Sequence, residues 1–246
     1  MADIYSSTAD GRIDSHNTSQ SPTWALSRDA TTGTFVSDSE SSTSSFVQAS
    51  RFNARGGGNP TYKVTRSFLF FSVSSITAEV AEVVLKIHGK STNLTAGSIW
   101  GVKGDPPLIG GLQTSQFANI DGYVAGSQMG GGNCTPYTNI MTSGWDNNGY
   151  NSFTGTSDLR SDIQNNSTVV IVMTDYGYDG RNVAPSSAQL VGYGAYYSDN
   201  SGTDKDPYLS IKLAGYGHKI NTVIASSMSK VNTVESANIG KIITVD

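Results

Sequence analysis

The sequence has little of several features that define large classes of protein. Its 246 residues include one cysteine, so no internal disulfide can form. Charged residues make up 15% of the chain and the net charge is −4, which gives no basic surface for nucleic acid or anionic lipid. No apolar run approaches the roughly 20 residues that span a bilayer. The sequence therefore predicts no disulfide framework, no nucleic-acid partner and no membrane insertion.

A signal peptide is also not expected. The first residues, MADIYSSTADGRIDS, contain no apolar segment behind a basic one. The single thiol, Cys134, lies in GGGNCTPY without a histidine nearby in the sequence, which is typical of an ordinary loop cysteine. We therefore expect synthesis and folding in a reducing cytoplasm.

Strand and turn formers dominate what the sequence does contain. Ser, Thr, Asn and Gly are abundant, and they interrupt runs of β-branched and aromatic residues. Seven segments have the composition of strands: 44–53, 63–73, 74–89, 98–102, 167–176, 189–198 and 207–214. Segment 63–73 is almost continuously apolar, which predicts burial on both faces, and 167–176 is a second strongly buried strand. Segment 74–89 alternates apolar and polar residues, which predicts a half-buried strand and not a helix.

One helix is predicted between these strands, over residues 156–166. Thr156 or Ser157 can cap its N-terminus, Asp158 favours the positive end of the helix, and Asn165 closes it. Residues 103–155 are mostly loop by composition, because they are rich in glycine, asparagine and proline. The expected fold class is all-β: a jelly-roll-like antiparallel β-sandwich with one short helix and a repetitive C-terminal β extension.

Three regions follow from this pattern. Residues 1–43 form a polar segment, interpreted either as an arm or as the first strands. Residues 44–214 form the β-sandwich. Residues 215–246 form a hinge and a tail that repeats every 11 residues.

The repeat reads KINTVIASSMS, KVNTVESANIG and KIITVD, with Lys219, Lys230 and Lys241 in register. Its β-branched residues and asparagines favour short strands over helix. Such strands are marginal alone and need an apolar surface to lie against. We favour an assembly interface over a hairpin that merely covers the sandwich. The residues predicted to form this interface are Ile220, Val223, Met228, Val231, Val234, Ile239, Ile242 and Val245.

Two resemblances refine these expectations. The phrases RSFLFFSVSSIT (66–77), AEVVLKIHG (81–89) and YYSDNSGTDKDPYLSIKL (196–213) are similar to secreted bacterial jelly-roll modules of the DNRLRE and carbohydrate-binding type. The tail, KINTVIASSMSKVNTVESANIGKI, resembles the C-terminal segments of tailed-bacteriophage virion proteins.

The second resemblance implies a virion structural protein: a capsid decoration, a head fibre or a tail component. Its implied partners are other virion proteins, and it is expected to form a homo-oligomer. The first resemblance implies the alternative, a carbohydrate-binding module that acts as an adhesin for host surface glycans.

Candidate ligand residues are few, and no motif predicts catalysis, so an enzyme is not expected. Tyrosine and tryptophan rings can stack on a sugar, and the candidates for glycan contact are Trp100, Trp145, Tyr150 and Tyr178. The loop DNSGTDKD offers oxygens for Ca²⁺ from Asp199, Asp204 and Asp206, although an ordinary Asx-rich loop is the favoured interpretation. TDYGYDGRN (174–182) can likewise be interpreted as a Ca²⁺ loop or as an ordinary Asx-rich loop. No other cofactor is expected.

Overall fold

The computed structural model describes residues 2–19, 22–53, 59–105, 111–130, 132–186, 188–198, 201–214, 230–231 and 234–235. Eleven strands form one antiparallel sheet: β1 Ala2–Tyr5, β2 Gly11–Asn17, β3 Phe35–Ser37, β4 Ser42–Phe52, β5 Thr61–Ser72, β6 Val80–Lys90, β7 Ile99–Lys103, β8 Tyr150–Thr154, β9 Thr168–Asp175, β10 Leu190–Tyr196 and β11 Tyr208–Leu213. The expected all-β, antiparallel fold class is confirmed.

The sheet is folded into two layers. In the first layer β6 lies between β11 and β8, and β1 forms an edge beside β11. In the second layer β5 pairs with β4, β2 and β9, and β7 extends the sheet beyond β9. Strand β10 pairs with β4 along its length and, after an irregularity between Tyr193 and Ala195, also with β6. It therefore joins the two layers.

Two apolar cores lie on the two faces of the second layer. The main core lies between the layers and contains Leu69 and Phe71 of β5. The second core covers the opposite face and contains the alternate residues Phe68 and Phe70. All four side chains are at most 3% exposed. The near-continuous apolar run of β5 thus reflects burial on both faces, as the sequence predicted.

The predicted helix is confirmed as α2, Ser157–Asn165. Its cap is Thr156, whose hydroxyl accepts a hydrogen bond from the backbone N–H of Leu159, and Asp158 lies in the first turn. The structure adds α1 (Trp24–Arg28), a 3₁₀ turn (Thr114–Gln116) and a π-helical turn (Tyr176–Gly180), which the sequence analysis did not predict. Each is five residues or fewer, so periodicity could not have identified it. No helix in the described ranges has the length and apolarity needed to cross a membrane.

The polar N-terminal region supplies strands of the sheet. Ala2 of β1 pairs with Ile211 of β11, and Gly11 of β2 pairs with Phe68 of β5. Strand β2 escapes prediction because polar side chains are buried in it: the carboxylate of Asp14 accepts a hydrogen bond from the hydroxyl of Thr65 at 2.7 Å. Strand β8 was also missed, inside the region expected to be mostly loop.

The tail contributes one described feature, an antiparallel pair of two-residue strands. In this pair β12, Lys230–Val231, faces β13, Val234–Glu235, and Val231 lies opposite Val234. The pair agrees with short strands in the repeat, but it does not show what they bind. The other predicted interface residues, Ile220, Val223, Met228, Ile239, Ile242 and Val245, lie outside the described residues.

Candidate ligand-binding sites

The four residues predicted to contact a glycan do not come together. The prediction that Trp100 contacts a glycan is wrong, because this residue is only 2% exposed. Its ring packs edge-on against Tyr176 in the second core, with centroids 5.1 Å apart. Trp145 is half-buried against the main core, 4.7 Å from the ring of Tyr193. Trp100 therefore offers no open ring face to a sugar, and Trp145 is partly covered by the main core.

Tyr150 belongs to a row of aromatic rings that crosses β1, β11, β8, β6 and β10. The row runs through Tyr5, Tyr208, Tyr150, His88 and Tyr196, with neighbouring centroids 5.1 to 5.5 Å apart. Tyr5 is 42% exposed and the other four rings are half-buried. No sequence pattern predicts this row, because its members come from five strands that only the sheet places side by side.

The proposed Ca²⁺ loop is only partly described. Asp204 is exposed and Asp206 is buried, and the backbone carbonyls of both accept hydrogen bonds from the hydroxyl of Tyr150, at 3.0 and 3.2 Å. Asp199 lies outside the described residues. Within the described part of the chain, no group of three His, Cys, Asp or Glu side chains is placed to hold a metal ion. A calcium site therefore stays a prediction.

A buried charge network holds the π-helical turn against the second core. Arg28, Arg66 and Asp179 are all 0% exposed. The guanidinium of Arg66 donates two hydrogen bonds of 2.8 Å to the carboxylate of Asp179, and Thr174 donates a third at 2.6 Å. Arg28 donates to the backbone carbonyl of Asp179 at 3.0 Å. The network links α1, β5, β9 and the turn to one another.

Asp175 begins this turn, and one of its oxygens has no partner. Its Oδ1 accepts a hydrogen bond from the backbone N–H of Tyr178 at 2.6 Å. Its Oδ2 is buried and has no hydrogen-bond partner among the described residues, and the residue is 1% exposed. Burial raises the pKa of Asp175 from 3.8 to about 7, and the negative charge of Asp179 acts in the same direction, whereas the backbone N–H groups of Tyr178, Asp179 and Ser98 lower it. A carboxyl of this kind is typical of functional sites.

Asp175 lines a cleft of about 500 Å³. The other lining residues come from the segment before β7, the π-helical turn and β10: Thr95, Ala96, Gly97, Ser98, Gly177, Tyr178, Arg181, Val183, Gln189 and Val191. The phenol of Tyr178 donates to Oε1 of Gln189 at 2.7 Å, which spans the cleft wall. Tyr178, a predicted glycan residue, is therefore the one candidate that lies in this cleft.

Gly97 allows the chain to pass close to the carboxyl of Asp175. A Cβ at this position would lie 2.7 Å from Oδ2 of Asp175 and 2.5 Å from Cγ1 of Val191. The phenol of Tyr193 fixes the glycine by donating to its carbonyl at 2.6 Å. Glycine thus lets the backbone pack directly against the carboxyl and Val191, where a larger residue would not fit. The sequence signal was TDYGYDGRN, but it did not show which of its two aspartates would have an unpaired oxygen.

We expect the stability of the protein to depend on the ionisation of Asp175. A carboxyl whose pKa is higher in the folded state binds its proton more tightly there, so the free energy of unfolding should fall as the pH rises from about 4 to about 7. Each pKa unit corresponds to about 1.4 kcal/mol. Asp175→Asn should remove this slope, as measured by urea unfolding of both proteins across the range. Parallel pH profiles would contradict the assignment.

Comparison with known proteins adds no relative from which a site could be transferred. No protein-family model matches the chain, and no curated protein is significantly similar to it. The assignment of function therefore depends on the residues and geometry described above.

Proposed function

We propose that the protein is a non-enzymatic structural component of a tailed-phage particle. In this role it would decorate the capsid or form a head fibre, with the sandwich exposed and the C-terminal repeat anchored to neighbouring subunits. The observation that carries the proposal is the 11-residue repeat, in which lysine and β-branched residues keep one register through residues 219–246. The resemblance of this tail to the C-terminal segments of virion proteins is the reason for proposing a phage particle as the assembly.

The packing of the sandwich is consistent with contacts to neighbouring subunits being made by the tail. Its main core draws on residues from Phe46 to Ile211, with Ala2, Ile4 and Leu213 packed at the margin. Its second core is filled by residues from Ile13 to Val172. Both faces of the second layer are therefore covered by other residues of the sandwich itself. The apolar positions of the tail need a different surface, because a two-stranded hairpin is marginal in water. Strand addition to a neighbouring subunit, repeated over many copies, would provide it.

Removing the tail is expected to abolish self-association without unfolding the sandwich. A chain that stops after Gly215 should be a folded monomer, whereas the full chain should be an oligomer. Light scattering gives the masses and circular dichroism reports the fold. Val231→Asp combined with Val234→Asp should dissociate the full-length oligomer, because burying charges at apolar contacts is costly. Lys205→Ala, outside the tail, is the control. A monomeric full-length chain would contradict self-association through the repeat.

The alternative function, a glycan-binding adhesin, is favoured by one observation. The aromatic row from Tyr5 to Tyr196 lies across neighbouring strands, and aromatic rings are the usual partners of sugar faces. Lys205 adds a charge, with its ammonium 4.4 Å from the ring centroid of Tyr196. A glycan screen with the tail-deleted chain tests this function separately from assembly.

A further inference from the structure

The cleft described above contains a buried acceptor that lacks a donor. Oδ2 of Asp175 has no hydrogen-bond partner, and within the described residues no Lys, Arg or His nitrogen lies within 4.0 Å of this carboxylate. Buried polar groups in folded proteins are nearly always paired, so a native exception calls for an explanation. An ionised carboxylate oxygen only accepts hydrogen bonds. Above about pH 7, where the Asp175 carboxyl is ionised, the missing partner is therefore a donor.

Four other acceptors around the cleft already have partners. Gln189 Oε1 accepts from Tyr178, and the carbonyl of Gly97 accepts from Tyr193. The carbonyl of Thr95 accepts from the N–H of Gly192 at 3.0 Å, and that of Ser98 accepts from the N–H of Tyr176 at 2.7 Å. The unpaired acceptor is a charged oxygen, which suits a ligand with one strong donor.

The walls of the cleft suit a short carbon chain behind that donor. Ala96, Val183 and Val191 contribute apolar surface, and Val183 is 43% exposed in the absence of any occupant. A volume of about 500 Å³ is sufficient for a small organic ligand. Burying methylene groups against such walls contributes about 0.8 kcal/mol for each. A ligand with a donor on an alkyl chain would therefore gain binding free energy both from the carboxylate and from the apolar walls.

We propose that the cleft at Asp175 binds a ligand ending in a primary ammonium group on an alkyl chain, with the ammonium donating to the Asp175 carboxylate. An ammonium forms a charge-assisted hydrogen bond, which is roughly twice as strong as a neutral one. A free amine and a lysine side chain of another protein share this chemistry. The site is on the sandwich and does not depend on the tail. Ligand binding can therefore be tested independently of the assembly function.

The charges that face the carboxylate are compatible with a cation. Asp179 adds negative charge nearby, although Arg66 and Arg28 pair with it. Arg181 also lines the cleft, but its side chain is exposed and its charge is screened by water. Tyr193 contributes a neutral phenol, because burial and the Asp175 carboxylate raise its pKa. The cleft thus presents one deep negative charge and one screened positive charge.

Titration with n-butylammonium, followed by NMR of the tail-deleted chain, tests the proposal. Binding should be tighter at about pH 8.5 than at about pH 5.5, by roughly ten- to thirtyfold, because the pKa of about 7 leaves the carboxyl mostly protonated at the lower pH. The amine should also lower the pKa of Asp175, which carboxyl ¹³C shifts measure without any substitution. An unchanged pKa in saturating amine would overturn the assignment.

Three comparisons identify the site and the ligand class. Asp175→Asn should weaken binding at least tenfold, whereas Asp204→Asn, which removes an exposed carboxylate, should leave it unchanged. Neutral n-butanol should bind at least tenfold more weakly than the amine. Equal binding of n-butanol, or tighter binding of methyl glucoside, would overturn the ammonium class.

A last comparison separates the two sources of the ammonium group. Nα-acetyl-lysine amide that binds more tightly than n-butylammonium would indicate a lysine side chain as the natural partner, and the reverse order would indicate a free amine. Its Nε-acetylated form, which has lost the positive charge, is the matched control and should not bind. Binding of the acetylated form with equal affinity would overturn the proposal.

Discussion

Asp179→Asn is expected to destabilise the protein by about 3–5 kcal/mol, because it leaves the buried guanidinium of Arg66 without its counter-charge and leaves Arg28 with that of Asp29 alone. Arg66 and Arg28 are both fully buried, and Oδ1 of Asp179 lies 2.8 Å and 3.3 Å from their nitrogens. Water cannot replace the lost charge at sites with no solvent exposure. Urea unfolding near pH 7 measures the loss in the free energy of unfolding. A variant that does not fold would show that the loss exceeds the stability of the protein.

An exposed ion pair supplies the control. Lys212 and Glu82 lie 3.0 Å apart, with side chains 54% and 64% exposed. Glu82→Gln should change stability by less than about 1 kcal/mol, since such pairs contribute little in water. If both variants lost equal amounts, burial of the Asp179 network would not be the source of its effect.

The same network predicts a dependence on pH in the acid range. Burial alone would raise the pKa of Asp179, but the charges and hydrogen bonds of Arg66 and the charge of Arg28 hold it below its ordinary value. The stabilisation is therefore complete above about pH 4 and is lost as the pH falls further. Asp175 acts in the opposite direction and over a higher pH range, so the two carboxyls can be separated in one series of measurements.

Phe70→Ala and Phe71→Ala are each expected to cost about 3–5 kcal/mol, although the two residues are adjacent in one strand. Their side chains point to opposite faces of β5, Phe70 into the second core and Phe71 into the main core. In a sandwich with one solvated face, only one of the two substitutions would matter. Urea unfolding of both variants thus tests whether the second core is a true core.

Phe35→Ala is the matched control for these substitutions. Phe35 is 47% exposed and its ring lies 5.4 Å from the guanidinium of Arg12, so its loss should cost less than about 1 kcal/mol. If Phe70→Ala were as mild as Phe35→Ala, the second core would contribute little to stability.

The π-helical turn connects the buried charge network to the Asp175 cleft. The π-helical turn carries Asp175 at its start and Asp179 near its end, only four residues apart. Asp179 is paired on every side and anchors the turn, whereas Asp175 keeps an unpaired oxygen in the cleft. Two aspartates of the same short motif are thus both buried, but only Asp175 lines the cleft.

Much of the sandwich could be predicted from local pattern. The alternation in β6 predicted a half-buried strand, and Val83, Leu85 and Ile87 do face the main core. The cap at Thr156 predicted the start of α2. These predictions succeeded because strand periodicity and capping depend on neighbouring residues in the sequence.

The sites could not be predicted in this way. The aromatic row gathers Tyr5 and Tyr196 from strands almost 200 residues apart in the chain, and a sequence pattern does not specify which strands will be neighbours. Trp100 seemed a surface candidate because aromatic rings serve both cores and ligands, and only packing decides between the two.

The sequence by itself determined the all-β class, the main strands, the capped helix and the register of the tail repeat, because each of these follows from short-range periodicity and composition. Tertiary structure alone decided that a polar N-terminal region would supply strands, that Arg28 and Arg66 would share one buried aspartate, and that Asp175 would retain an unpaired oxygen in a cleft. The physical reason is desolvation: the energy of a charged side chain is set by what surrounds it in space, and those surroundings come from distant parts of the chain.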